Sequence, residues 1–417
     1  MDWRQLRQVC LATIWRQNIS ERMSLFTNEA SEESVYTLFQ ASAVNMGTYI
    51  CFNYMHPKVA IIYLSFNSEI YLDDVISALQ KITYPKDRLE FIVVDNLHPQ
   101  FGSSMPNLEE KLLPISGISI PHITLLPQKE NLGFAGGNNV GIAWALENGF
   151  DYVYLHNNDG FMAADCVEKM VASLEHDPQI GAAQSLLLLY PETELVNTAG
   201  NSFHYLGFGY CGNFRMKKSD LKLNEAEEVG YASGASILMR AKLLKEYGSW
   251  DKDFFLYHED VEYSLRMKAL GYKVVIIRDA IFYHKYQFSR NKDKFYYMER
   301  NRYGVMLMYF KWRTFLVLLP MALIMEVGLI FFSIINGWFA VRMSVYKYWL
   351  SIKHWQLWLA KRKYIQSIRM VTDRQILKLA SDKVIFDEKD INNPLLKYIA
   401  NPLMVVYWFL AKRIIFW

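Results

Sequence analysis

Cysteine is scarce in this chain: four residues, at positions 10, 51, 166 and 211, with no C-x-x-C pair. That scatter offers no disulfide framework and suits a reducing, cytosolic setting. Charge of one sign is also lacking. A net charge of +3 over 417 residues gives no global reason to expect a nucleic-acid partner. The first residues carry charge from Asp2 onward and have no apolar core followed by a small-residue cleavage site, so they do not read as a secretory signal. Disorder is excluded by a hydrophobic content of 52% and an aromatic content of 15%, which lean towards contact with lipid. The length allows one large domain with an appendage, or two domains.

Residues 1–57 form an N-terminal extension in which Trp3, Leu6, Cys10 and Ile14 fall at helical spacing among Arg4, Arg7 and Arg16. This predicts a short amphipathic helix, packed on the main domain or lying on a membrane. From Lys58 the pattern sharpens. The continuous apolar runs 59–64 and 89–94 read as strands covered on both faces, joined by a helix over 71–81. The unit places Ser65, Asn67, Asp95 and Asn96 along one sheet edge. A third strand, 123–126, leads into Asn131-Leu132-Gly133-Phe134-Ala135-Gly136-Gly137-Asn138-Asn139-Val140-Gly141, read as a glycine-rich turn before a helix over 142–148. Small residues there would let backbone amides approach an anion. The spacing of this stretch is neither G-x-G-x-x-G nor a P-loop, which counts against a dinucleotide oxidoreductase or an NTPase.

The chain is organised around Tyr152-Val153-Tyr154-Leu155-His156-Asn157-Asn158-Asp159-Gly160. Here a buried strand delivers one carboxylate to the carboxyl end of a sheet, where open α/β folds bind ligands. Asp159 is placed to hold Mg²⁺ or Mn²⁺ against a diphosphate; the plainer reading is a turn after a strand. Residues 197–228 mix glycines, aromatics and charges and read as a mobile, substrate-covering region. Ser233-Gly234-Ala235-Ser236 precedes a further apolar run. Glu259 and Asp260 then open a helix directly after the aromatic loop 254–258. They serve either the helix macrodipole or general-base chemistry. Val261, Leu265 and Ala269 share one face of that helix, and Glu262 can pair with Arg266. His284 follows a strand predicted over 273–277, with packing or metal ligation as its alternatives.

Together these stretches resemble the inverting, GT-A-fold glycosyltransferases of family 2, in particular the rhamnosyltransferase-like branch. The matching pieces are Ser65-Phe66-Asn67-Ser68, Val94-Asp95-Asn96, Asn131-x-Gly133 through Asn138, Asn157-Asn158-Asp159, Ser233-Gly234-Ala235, Phe255 to Arg266, His284 and Arg300-Asn301. The resemblance implies an α/β fold of class GT-A, a Rossmann-like mixed sheet flanked by helices, with a catalytic domain over 58–312. It implies a nucleoside-diphosphate sugar donor bound near Ser65, Asn67, Asp95, Asn131, Gly136, Gly137, Asn138 and Asn158. Asp159 and His284 would be the metal ligands for Mg²⁺ or Mn²⁺. Asp260 would be the catalytic base, with Glu259 beside it, and Gly234 and Ala235 would belong to the acceptor loop. Two departures stand out: Asn157 replaces the first acid of the D-x-D motif, and Leu97-His98-Pro99 replaces the usual small polar tail after Val-Asp-Asn.

Residues 313–417 read as a basic, apolar, membrane-associated helical region. Phe315 to Phe339 is apolar except for Glu326 and Asn336, and Lys353, Lys361, Arg362, Lys363, Arg369 and Arg374 follow. Positive charge on both flanks favours a helix pair in the cytosolic leaflet over a simple span. The alternatives are packing on the catalytic domain or a homodimer interface. A glycan acceptor linked to polyprenyl diphosphate at the cytoplasmic face of the membrane fits this layout. Three other readings stand beside it: a nucleotidylyltransferase, a polyprenyl-phosphate glycosyl synthase, and a non-catalytic membrane scaffold. The first lacks its basic phosphate loop. The scaffold would be expected to have lost the acids at 159 and 260.

Overall fold

The computed structural model describes residues 56–286, 294–385 and 394–417. The helix expected near the N-terminus lies outside the described residues. Residues 58–417 form one compact unit.

Its strands are β1 (Val59–Ser65), β2 (Leu89–Asp95), β3 (His122–Pro127), β4 (Tyr152–His156), β5 (Gly160–Met162), β6 (Ile180–Leu189), β7 (Val196–Thr198), β8 (Asn201–Phe203), β9 (Gly209–Cys211), β10 (Ala226–Glu228), β11 (Ser236–Arg240) and β12 (Lys273–His284). The helices are α1 (Leu72–Lys81), α2 (Met105–Leu112), α3 (Gly133–Glu147), α4 (Cys166–His176), α5 (Ala241–Tyr247), α6 (Glu259–Ala269), α7 (Lys294–Tyr309), α8 (Trp312–Ile335), α9 (Phe339–Trp349), α10 (Ile352–Ile368), α11 (Asp373–Ile376) and α12 (Asn401–Ile414). The main sheet runs β10-β12-β6-β11-β4-β1-β2-β3. β1 lies parallel to both β2 and β4, whereas β11 runs antiparallel between β4 and β6. This is a mixed sheet.

Period-two alternation explains the unbroken apolar runs. Val59, Ile61 and Tyr63 pack with α1, α2 and α4 on one face. Ala60, Ile62 and Leu64 pack with α3, α5 and α6 on the other. The register sets Ser65 beside Asp95 and Tyr63 beside His156, so the polar ends of β1, β2 and β4 emerge on one edge.

Three expectations are corrected here. The glycine run is the opening of α3 and not a turn before it, because Gly137 and Gly141 are where the helix meets the sheet. A Cβ at Gly141 would lie 2.7 Å from Ile62 Cγ2, and one at Gly137 would lie 2.5 Å from Leu64 Cδ1. Ile62 is β-branched and stiff. Gly141→Ala is therefore expected to cost about 1–3 kcal/mol by overpacking, read as a lower urea midpoint at unchanged m-value. Second, residues 197–228 contain β7 to β10, and Phe203, Tyr205 and Phe208 are buried against α7 and α12. Residues 197–208 are thus folded into the core, whereas residues 213–228 lie mostly exposed. A G-x-G-x-x-G spacing does occur at Gly207–Gly212, but it sits around β9, and no α-helix follows it directly to receive an anion.

Third, much of the C-terminal basic stretch points inward, and the residues on either side of 312 belong to the same compact unit. Lys361 reaches Asp251 and Asp253, Arg362 donates to the Leu307 and Phe310 carbonyls, and Arg369 pairs with Asp373. Of the six basic residues noted, Lys353, Lys363 and Arg374 remain exposed. The apolar α8 is long enough to cross a bilayer, with a mean hydropathy of 2.5, and 11% of its most apolar stretch is buried. Its Glu326 is no orphan charge. With Glu299 it forms a paired cluster with Arg302 and Arg342, tying α7, α8 and α9 together.

Candidate active site

Two groups of side chains meet where the sheet edge faces the start of α6. The first is at the tip of β4. Asp159 Oδ1 lies 2.8 Å from His284 Nε2 and 2.5 Å from Asn157 Nδ2. Asp159 and His284 are neighbours because β5 pairs with β12, setting Gly160 opposite His284. Burial opposes charge on Asp159, but His284 beside it, helped by Asn157, holds the carboxyl below its ordinary value. On its far side, His284 Nδ1 lies 2.9 Å from the buried Asn197 Oδ1. That contact fixes the orientation of the ring and directs Nε2 towards Asp159. An oriented imidazole of this kind is what a metal site requires of its histidine.

The second group is at α6. Asp260 Oδ1 accepts from its neighbour's amide, Val261 N, at 2.8 Å, and Oδ2 accepts from Gly234 N at 3.3 Å. Burial pushes its carboxyl up to about 6, although those amides pull the other way. Glu259 is turned into the protein, 5% exposed, with Oε2 lacking any hydrogen-bond partner. Burial first, and the charge of Asp260 second, raise it well above the ordinary range. Glu259, turned inward and with its ionisation opposed by burial, is therefore set apart from Asp260. The two centres are joined through residues 234 and 235. Gly234 N donates to Asp260, and Ala235 O accepts from Asn157 N at 2.9 Å. Gly234 must be glycine, because a Cβ there would lie 2.7 Å from the Trp250 ring.

The loop that delivers Asp260 is strained. Phe255, Tyr257 and His258 all have positive φ, at 62°, 65° and 68°, a conformation that costs non-glycine residues about 1 kcal/mol or more each. Two side chains from α7 hold it. Arg300 donates to the Asp253 and Phe254 carbonyls, and Asn301 Nδ2 lies within 3.0 Å of the carbonyls of Phe254, Leu256 and Tyr257. The Phe255 carbonyl in turn accepts from Phe134 N and Ala135 N, at 2.7 and 3.3 Å. The first amides of α3 are therefore already used, and the anion site expected there is not available.

The remaining donor-side residues divide. Ser65, Asn67, Asp95 and Asn158 lie at the carboxyl ends of β1, β2 and β4 or just beyond them. Asp95 is buried and accepts from Ser103 Oγ at 2.5 Å and Ser104 N at 3.2 Å, which fixes the loop after β2. In that loop His98 packs between Phe66 and Phe101, with ring centroids 4.5 and 4.7 Å away. Asn131 accepts from Gly133 N and Asn96 Nδ2, locking the start of α3. Asn138 bonds to the Phe134 carbonyl within α3. Gly136, Gly137 and Asn138 thus act on the crevice by setting where α3 lies. Asn197 carried no signal in the sequence, since 87 residues separate it from His284.

Residues 60–248 match the family model for glycosyl transferase family 2. The matched stretch runs from β1 through α5. Among its curated relatives, the probable glycosyltransferase YdaM of Bacillus subtilis is 25% identical over 236 residues, which cover 54% of this chain and 50% of YdaM. The N-acetylglucosaminyl-diphospho-decaprenol L-rhamnosyltransferase of Mycobacterium tuberculosis is 25% identical over 190 residues, covering 42% of this chain and 62% of that protein. The chain thus spans about half the length of the first and under two-thirds of the second. Among solved structures, GalNAc-T7 with UDP, GalNAc and Mn²⁺ aligns with a TM-score of 0.49 and 12% identity, covering 64% of this chain and 51% of that one. The chain itself has an α/β arrangement, a mixed sheet flanked by helices.

Proposed function

We propose that this chain is a family 2 glycosyltransferase that moves a sugar, with inversion, from a nucleoside-diphosphate donor to a hydroxyl of a lipid-linked glycan. The observation that carries the reading is the pairing of Asp159 with His284 at the tip of β4, linked through Ala235 and Gly234 to Asp260. Asp260 accepts the proton of the acceptor hydroxyl. The oxygen attacks the anomeric carbon as the bond to the diphosphate breaks on the opposite face. Asp159 and His284 offer one carboxylate oxygen and one oriented imidazole nitrogen, a donor set that suits Mg²⁺ or Mn²⁺ completed by diphosphate oxygens and water. When bound, such an ion offsets the charge building on the departing nucleoside diphosphate. The loop that Asp95 fixes carries the His98 and Phe101 rings, which with Phe66 offer a face for the nucleobase.

L-rhamnose is the sugar we propose, and the polyprenyl diphosphate link of the acceptor is the second finer element. Both draw support from the mycobacterial relative. The exposed apolar face of α8, with Leu316, Leu323, Val327 and Phe331, supports attachment to the cytoplasmic face of a membrane.

The test is thermal stability with UDP, dTDP, GDP and CDP, each with and without Mn²⁺ or Mg²⁺. One nucleotide is expected to raise stability only with metal, by about 2.7 kcal/mol at one hundred times its Kd. Asp159→Asn and His284→Ala should each remove the metal-dependent part of that shift. No shift with any nucleotide would overturn the donor assignment.

A further inference from the structure

The loop that leads into Asp260 has its carbonyls held one after another. The Phe255 carbonyl takes the first amides of α3, and the His258 carbonyl takes Glu262 N within α6 at 2.8 Å. The other three, of Phe254, Leu256 and Tyr257, converge on Asn301 Nδ2 at 3.0, 3.0 and 2.6 Å. Asn301 is fully buried on α7. Its Oδ1 accepts from Arg300 Nε at 2.8 Å, which fixes the amide with its N–H groups towards the loop. Arg300 is steadied in turn by the Tyr297 and Tyr348 rings, 5.2 and 5.4 Å from its guanidinium carbon. Carbonyl oxygens repel one another, so three of them turn inward together only around a donor. In the sequence, Arg300-Asn301 stood among the matching pieces without a role.

We propose that Asn301 is a positioning residue for the reaction, setting where Asp260 stands by holding loop 254–258 in its left-handed turn. Tyr257 and His258 have positive φ immediately before α6. Their torsions therefore aim the first turn of that helix, and the Asp260 carboxylate with it. Among the described residues Asn301 makes no hydrogen bond to Asp260, so its effect passes through the backbone. The competing reading is that Asn301 only stabilises the fold. The two part in rate, because a purely structural residue leaves the molecules that do fold fully active. The inference rests on Asp260 as the base proposed above. It adds the side chain that fixes the position of that base.

Asn301→Ala is expected to lower kcat by roughly a hundredfold, the scale of loss on misplacing a reacting group by about 1 Å. Donor KM and the metal-dependent nucleotide shift should stay at wild type, since Asp159 and His284 are untouched. Asn301→Asp should lose at least as much, although it is closer in size, because a carboxylate then faces the three carbonyls. A residue that only filled space would rank the two variants the other way. Turnover is read as nucleoside diphosphate released from the L-rhamnosyl donor with the polyprenyl-diphosphate-linked acceptor proposed above. Hydrogen exchange of peptides spanning 254–262, on the full chain without substrate, is independent of that assay. Asn301→Ala should speed it roughly tenfold or more there and leave β1 and β4 unchanged. Where Asn301→Ala does not fold, Asn301→Ser, able to donate to one carbonyl, should show the same pattern in smaller measure. Unchanged exchange over 254–262 would overturn the proposal, as would an undiminished kcat or a loss confined to donor KM. Asp260→Asn is measured beside these variants. Wild-type turnover in it would remove the base and this role together, whereas a loss in Asp260→Asn alone would overturn only the role given to Asn301.

Discussion

Asp260→Asn is expected to lower turnover by about a thousandfold, within the range of roughly 10²–10⁴ that a positioned general base contributes. Donor affinity should stay near wild type, because Asp95, Asp159 and His284 are untouched. The substitution is nearly isosteric, but an amide cannot accept from both Gly234 N and Val261 N as the carboxylate does. A small loss of stability should accompany the loss of rate. The pH profile separates the two effects. A base works only when deprotonated, and burial pushes Asp260 up to about 6. Wild-type kcat/KM should therefore rise with pH through an inflection near 6 and level off above it. At one pH unit below the inflection the rate should be about tenfold under the plateau. Any residual activity of Asp260→Asn should lack this limb. Wild-type turnover by the variant, or an unchanged acid limb in it, would remove Asp260 from the role.

The stretches that were legible in the sequence are those in which local pattern and tertiary role coincide. β1 and β2 are buried on both faces, so their apolar runs are unbroken and their polar ends mark the crevice. The same logic located Asp159, whose strand ends in a short polar cluster. The pairing of Glu262 with Arg266 followed from helical spacing alone. Where the two levels part, the pattern misleads. Glycines 133 to 141 read as an open turn, yet their lack of a Cβ serves close approach of helix to sheet. Arg362 and Arg369 read as membrane-facing charge, yet each caps carbonyls or pairs inside the fold. Partners such as Asn197 for His284 have no periodicity to reveal them. Contacts made across such separations appear only once the chain has folded.

The helix that carries Asp260 is itself anchored by one buried ion pair, and its removal has the largest expected effect on stability. Arg266 binds both carboxylate oxygens of Glu262, at 3.2 and 2.6 Å. It also donates to the carbonyls of Tyr247, Gly248 and Ser249, so all five of its N–H groups are used. Tyr309 from α7 completes the shell by donating to Glu262 Oε1 at 2.7 Å. Arg266→Met leaves the carboxylate buried with its tyrosine partner alone and strands three carbonyls. The expected cost is about 3–5 kcal/mol, the usual result of breaking one side of a buried pair, measured by urea unfolding. Removing both charges in Glu262→Leu/Arg266→Met should recover part of this, since no uncompensated charge remains. Recovery should be incomplete, because the carbonyls of 247–249 stay unpaired in the double variant. A double variant no better than Arg266→Met would mean that capping this loop, and not pairing with Glu262, is the main work of the arginine.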